Sequence, residues 1–263
     1  MKVVVCVKQV PHRDYTLSLT PDGQWVREEG LAWEMNESDL YAIEAALRLR
    51  EQWGGDVLAV AVGPERMTET LRKALAMGCD RAVLVSDPRI PFTSPYCVGR
   101  VLAAVLAPER PDLVLTGIAS EDLGFAQTAG VIAEWLGYES LPLVIGLEAP
   151  QPDRLRIRQE LEGGVFDEVE VELPAVLMIQ SGANQPRYAS LKGIMMAKKK
   201  PLDVRRLEDL GLTPEDLRGL HSRFEWLGLE VPVQTVQVEF LTGAPDEVAE
   251  RLLEKLKKEA RVL

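Results

Sequence analysis

The 263-residue chain is 46% hydrophobic and 27% charged, an ordinary globular composition long enough to bury a large core and unlike that of a disordered or fibrous protein. Its formal net charge of −11 argues against duplex nucleic acid or an anionic lipid surface as the main partner, since both need a basic footprint. Three widely spaced cysteines (Cys6, Cys79, Cys97) and two histidines (His12, His221) provide neither a disulfide framework nor a histidine-rich metal site, and they fit a reducing compartment.

Residues 3–7 are a β-branched run without polar alternation, the pattern of a strand buried on both faces of a parallel sheet. The run is too short for a signal peptide and Lys8 interrupts it; no other stretch approaches a membrane span, so a cytoplasmic protein is expected. Residues 11–35 read as polar and irregular, with a turn at Pro21-Asp22-Gly23. A helix follows over 37–52, capped by Asn36 or Ser38, with Leu40, Ile43 and Leu47 on one face. A second buried strand over 56–62 closes at Gly63-Pro64. Met67, Leu71, Ala74 and Leu75 mark the next helix, and Gly78 stops it. A third strand spans 81–85. Ser94 caps a helix with Pro95 at its first position, running to about residue 106. A fourth strand at 113–115 leads through a loop over 116–124 into a helix over 125–136, stopped by Gly137.

Four strand–helix repeats predict an α/β fold: a doubly wound, mostly parallel, Rossmann-like nucleotide-binding sheet with helices on both faces. The pattern then changes. Residues 154–161 and 165–173, joined by Glu162-Gly163-Gly164, read as a β-hairpin, and 175–179 as another buried strand. Helical periodicity returns clearly near 246–258. The expected division is an α/β domain over 1–205 and an extended C-terminal arm over 206–263 that packs on another chain.

The chain lacks the dinucleotide fingerprint G-x-G-x-x-G, the phosphate loop G-x-x-x-x-G-K-[ST] and the nucleophile elbow G-x-S-x-G in standard form. In an open parallel sheet, ligands sit beyond the carboxyl ends of the strands, where helix N-termini point amides at anions. Three segments are expected to converge there: the end of the first strand (Cys6 to Val10), residues Asn36, Glu37, Ser38 and Asp39, and the long loop after the fourth strand. That loop reads Ala119, Ser120, Glu121, Asp122, Leu123, Gly124, Phe125, Ala126, Gln127, Thr128, Ala129, Gly130. Two readings stand for these residues: capping and turn formation, or a phosphate cradle of backbone amides.

The chain resembles the electron transfer flavoprotein beta subunits. The resemblance is carried in order by Val7-Lys8-Gln9-Val10-Pro11, Met35-Asn36, Gly63-Pro64, the run from Leu71 to Gly78, and Pro111-Asp112-Leu113-Val114-Leu115. Its most specific piece is Pro186-Arg187-Tyr188-Ala189-Ser190-Leu191, followed by Ile194-Met195 and Ala197-Lys198-Lys199-Lys200-Pro201. The resemblance implies a heterodimer with an FAD-carrying alpha subunit, AMP held in a structural role, and a C-terminal arm embracing the partner. It implies an electron carrier rather than an enzyme, serving flavin dehydrogenases such as the acyl-CoA dehydrogenases of fatty acid oxidation and delivering to a membrane quinone oxidoreductase. In the electron-bifurcating branch a second FAD takes the AMP pocket.

Carried over by motif, that pocket comprises Cys6, Asn36 to Asp39, Val62 and Ala119 to Gly130. Main-chain groups at Cys6 and Val62 serve the adenine edge, and amides near Gln127 and Thr128 the phosphate. Tyr188, Ala189, Ser190 and Leu191 become a recognition loop whose leucine enters a pocket of the dehydrogenase. The chain departs from the family pattern at Asp122-Leu123-Gly124 and Gln127-Thr128-Ala129, where an acidic run and a Gln-Thr-Gly step are common. It departs again at Ala183-Asn184-Gln185 in place of Leu-Asn-Glu and at Lys192-Gly193 in place of Pro-Asn. Of the remaining features, residues 198–200 read as a solvated face, Met195 and Met196 as packing, and the five tryptophans as mostly core or interface. Tyr15 and Trp33 are candidates to approach the partner's flavin. The competing readings are an ATP-using enzyme of a related α/β class and a free-standing nucleotide sensor; neither has a phosphate-gripping basic signature in residues 119–130.

Overall fold

The computed structural model describes residues 1–221, 223, 225–232, 238–260 and 262. The described chain forms two compact units, one of residues 1–18 and 26–227, the other of residues 19–25 and 228–263.

The larger unit is built on β1 (Lys2–Cys6), β2 (Gln9–Pro11), β3 (Trp33–Met35), α1 (Glu37–Trp53), β4 (Asp56–Val62), α2 (Met67–Met77), β5 (Arg81–Val85), α3 (Pro95–Leu106), β6 (Leu113–Gly117) and α4 (Thr128–Leu136). It continues through β7 (Glu139–Gln151), β8 (Arg154–Glu160), β9 (Phe166–Glu172), β10 (Ala175–Ile179), α5 (Leu191–Ala197), β11 (Leu202–Arg205) and α6 (Pro214–His221). Among the described residues nine strands form one sheet in the order β11-β5-β4-β1-β6-β10-β7-β8-β9. The strands from β11 to β7 pair in parallel, and β8 and β9 add on in antiparallel fashion. Val3 and Val5 pack with Ile43 and Leu47 of α1 and Leu71 of α2, whereas Val4 and Cys6 pack with Val101 of α3 and Ile132 of α4. Each central strand therefore buries both of its faces, which is why its sequence shows no alternation. The fold is the expected doubly wound α/β class.

Several boundaries differ from expectation, each for a local reason. Asn36 sits at the N-cap of α1 but makes no capping bond, because its side chain is engaged across the strand ends. Helix α4 begins at Thr128, later than residue 125, because Ala126 adopts φ +52°. The stretch 11–35 is not wholly irregular, since its ends form the antiparallel β2–β3 ribbon. The hairpin is as read, with Arg154, Arg156 and Arg158 directly opposite Glu172, Glu170 and Glu168. The thirteen-residue β7, with Pro142, Gly146 and Pro150 in its length, carried no strand signal. None of the five tryptophans is buried.

The larger unit extends past residue 205, because Leu207, Leu212 and Leu217 join the core on the α3–α4 face. Of the arm expected over 206–263, residues 222, 224, 233–237, 261 and 263 lie outside the described residues. Within the smaller unit, Leu229 N donates to Gly23 O at 2.8 Å, and α7 (Pro245–Lys255) runs on into a wide turn over Leu256–Ala260. No helix among the described residues is long and apolar enough to cross a membrane.

Candidate functional site

The strand order turns about β1: the chain proceeds outward through β4 and β5, then returns to place β6 on the other side. Helix α1 packs on one face of the sheet and α4 on the other, so the switch point where such a sheet forms its ligand crevice lies beyond the carboxyl ends of β1 and β6. The residues there are tightly cross-linked. Asn36 Nδ2 donates to Ala119 O at 3.0 Å, and Asn36 Oδ1 accepts from Glu121 N at 3.0 Å. Ser38 Oγ donates to the same Ala119 carbonyl at 3.2 Å. Asp39 is buried and accepts from Lys8 N at 2.7 Å, Gly117 N at 3.0 Å and Asn36 Nδ2 at 3.2 Å. Lys8 Nζ reaches over to Asp122 Oδ1 at 2.6 Å and Ser120 Oγ at 3.3 Å.

Gly117 makes this closeness possible: a β-carbon there would collide with Ser38 Oγ and Asp39 Oδ1. Burial pushes the Asp39 carboxyl up to about 7, opposed by its three N–H donors and by the nearby Lys8 charge. The Cys6 thiol, buried beside Asp39, is pushed up by burial first and by that carboxylate second, so it is an inert wall rather than a nucleophile.

Residues 119–124 close into a turn through Gly124 N donating to Ser120 O at 2.9 Å, with Gly124 at φ +65°. Gln127 then opens α4 without placing its own side chain on the helix N-terminus, and open space lies beyond Gly130 in the first turn. Uncapped first-turn amides beside a crevice are the donor set a phosphate requires. Cys6 and Val62 are the last residues of the neighbouring β1 and β4, paired in the sheet with Val60 and Val85. The first-turn amides of α4 fit the phosphate of a mononucleotide. Among the described residues no cluster of His, Cys, Asp or Glu could hold a metal ion. A cleft of about 400 Å³ between α1 and β7, lined by Leu49, Gln52 and Leu147 among others, lies beside the C-terminal half of α1, away from Asn36.

A second feature stands apart from the crevice. Tyr188 is 99% exposed, Leu191 82% and Met195 71%, with Ile194 and Met196 also exposed. Leu191 opens α5, whose N-cap Ser190 accepts from Gly193 N at 3.0 Å.

The family model for the electron transfer flavoprotein domain matches residues 24–210. The chain is 37% identical over 257 residues to an electron transfer flavoprotein subunit beta of Methylophilus methylotrophus, covering 97% of both chains. It is 36% identical over 239 residues to that of Bacillus subtilis, covering 90% of this chain and 91% of the relative. It is 34% identical over 267 residues to the human subunit beta, covering 100% of this chain and 99% of the relative. The chain belongs to the electron transfer flavoprotein beta-subunit family.

For this electron transfer flavoprotein chain, the structure joins Asn36, Ser38 and Asp39 to Ala119, Ser120, Glu121 and Asp122, partly through Lys8. Glu37 points elsewhere, accepting from Arg13 Nη2 at 3.2 Å. Gln127 and Thr128 make no hydrogen bond to the Asn36–Asp39 cluster. Sequence reading missed Lys8 as a tie across the crevice and Gly117 as its clearance; the Val7-Lys8-Gln9 motif pointed to the first. It also misjudged the exposed segment and its end. Met195 and Met196 are exposed rather than packed, and Lys200 is not a solvated charge, since its ammonium donates to Leu75 O, Gly78 O and Cys79 O at 3.0, 3.2 and 2.6 Å and so caps α2. Tyr15 is 44% exposed, while Trp33 lies under the Arg66 guanidinium at 3.8 Å.

Proposed function

We propose that this chain holds AMP structurally and assembles with an FAD-carrying alpha subunit into a cytoplasmic electron carrier. The carrier takes electrons from flavin dehydrogenases, acyl-CoA dehydrogenases among them, and delivers them to a membrane quinone oxidoreductase. The observation that carries the reading is the crevice at the ends of β1 and β6, with the uncapped N-terminus of α4 beside it. Amides at Thr128 to Gly130 receive the phosphate, and backbone at Cys6 and Val62 receives the adenine. Asn36, Ser38 and Asp39 hold the loop from Ala119 to Asp122 in place for it, and no side chain of the crevice takes part in bond chemistry. The flavin, held mainly by the partner, supplies the redox chemistry.

Residues 188–191 present the dehydrogenase with an apolar anchor, Leu191, and the smaller unit packs on the alpha subunit through exposed apolar residues such as Phe240, Leu252 and Leu253. Co-expression with an FAD-binding alpha subunit tests the reading: a yellow complex of equal subunit stoichiometry is expected. Two separately purifying chains would overturn it.

A further inference from the structure

The exposed apolar face over 188–196 is fastened at both of its ends. Tyr41, Glu44, Arg48 and Glu51 follow one another at helical spacing and form a single stripe along α1. The segment 184–187 lies on that stripe. Asn184 Nδ2 donates to Tyr41 O at 2.9 Å, and Arg48 Nη2 to Gln185 O at 3.4 Å. Arg187 makes the densest contact. Its Nε and Nη2 donate to the Glu44 carboxylate at 2.7 and 3.1 Å, and its backbone N–H to the same group at 3.2 Å. Its Nη1 and Nη2 also grip Glu51. The Glu44 side chain is only 4% exposed and takes a further bond from Arg48 Nε at 2.7 Å. At the other end Arg72 Nη1 donates to Ala197 O at 2.6 Å and Lys200 O at 2.9 Å, and a β-carbon at Gly193 would collide with Ala76 O of α2.

A planar guanidinium fork on two carboxylates fixes direction as well as distance, which an ammonium cannot do. Here the fork holds the residue immediately before Tyr188, and Glu44 fixes that residue's backbone too. Tyr188, Leu191 and Met195 have little packing of their own to define their position, since they are the most exposed, while the segment between them rests on α2 at Gly193. Their geometry is set by the attachments on either side and by that contact. Ordering a docking surface beforehand removes that entropic cost from the encounter.

We infer that Arg187, gripped by Glu44 and Glu51, is the positioning residue that preorganises the Tyr188–Met196 face for docking. The inference rests on the proposal that this face meets the dehydrogenase, and it adds why the face is ready to do so.

The test uses the whole heterodimer with three variants, Arg187→Gln, Arg187→Lys and the milder Glu51→Gln, whose site is half-exposed at the surface. Amide hydrogen exchange of residues 188–196 reads the clamp with no dehydrogenase present; steady-state electron transfer from an acyl-CoA dehydrogenase reads docking. Arg187→Gln is expected to speed exchange across this segment and raise KM for the dehydrogenase about tenfold, with kcat held within about twofold. Arg187→Lys is expected to recover only part of the loss, and Glu51→Gln to show the same split with a smaller rise. Unchanged exchange in Arg187→Gln and Glu51→Gln overturns the clamp. Faster exchange with unchanged KM, while Leu191→Ala raises KM, overturns its positioning role alone. An unchanged KM in Leu191→Ala instead removes the docking reading, and the inference with it.

Discussion

Asp39 is a buried ionisable group at the centre of the crevice's hydrogen bonds, and its titration is a direct handle on the electrostatics there. Its ordinary value is 3.8, and burial lifts it to about 7. At roughly 1.4 kcal/mol per pH unit, that difference corresponds to about 4 kcal/mol. The sign follows from where the proton is held. Between about pH 4 and 7 the folded chain keeps a proton that the unfolded chain has lost. This contribution to stability is fully present below about pH 4 and is lost as the pH rises through about 7.

Asp39→Asn removes the titration and leaves a neutral group like the protonated acid, whose NH2, as the acid's O–H does, faces one of the N–H donors at Lys8 or Gly117, a clash worth about 1–3 kcal/mol. The other ionisable groups cancel in the comparison of the two proteins. Urea unfolding at pH 5, 6, 7 and 8 should therefore show the wild type losing stability relative to the variant by about 1.4 kcal/mol per pH unit up to about 7, then levelling. A wild type that gains stability relative to the variant with rising pH would refute the reasoning, because it would mean that the three donors outweigh burial and keep the carboxylate ionised.

Replacing Thr128 with leucine at the start of α4 should lower the adenine mononucleotide content of the purified chain and with it the melting temperature, since ligand bound at about a hundredfold above Kd stabilises by about 2.7 kcal/mol. Equal nucleotide content and an unchanged melting temperature would place the phosphate elsewhere. Leu191→Ala should weaken docking by about 1–3 kcal/mol in dehydrogenase assays and leave the melting temperature unaltered, because the side chain is 82% exposed. A matching loss of stability would return Leu191 to a packing role. Truncation after Leu227 retains Leu207, Leu212 and Leu217 in the core, so circular dichroism should show a folded α/β unit that no longer co-purifies with the alpha subunit. Normal assembly of the truncated chain would remove the arm's proposed role.

The central strands were legible because they are buried on both faces: Val3-Val4-Val5 and Leu113-Val114-Leu115 leave a helix no polar side to present. Helix ends were legible where chemistry is local, as at Ser94-Pro95 and Gly137. Strand β7 was not. Its prolines and its register shifts against β8 break any period of two, and Leu143 sits at φ +58°. Helix α5 was hidden because its apolar residues face outward, so their spacing does not mark a core.

The crevice was legible as a place, through the strand order that alternating elements dictate, but not in its wiring. Asn36 looks like a cap in sequence and proves to be a bridge to Ala119 and Glu121, because a partner distant along the chain outcompetes its own helix. Lys200 looks like a surface charge for the same reason: its acceptors are carbonyls more than a hundred residues away.

The most direct test of the account is the nucleotide content of the purified heterodimer, read by acid denaturation, chromatography and flavin absorbance. The account predicts one FAD and one AMP for each pair of subunits, with the AMP remaining when the flavin is reduced. Two flavins and no adenine mononucleotide, or a flavin carried by this chain alone, would contradict it.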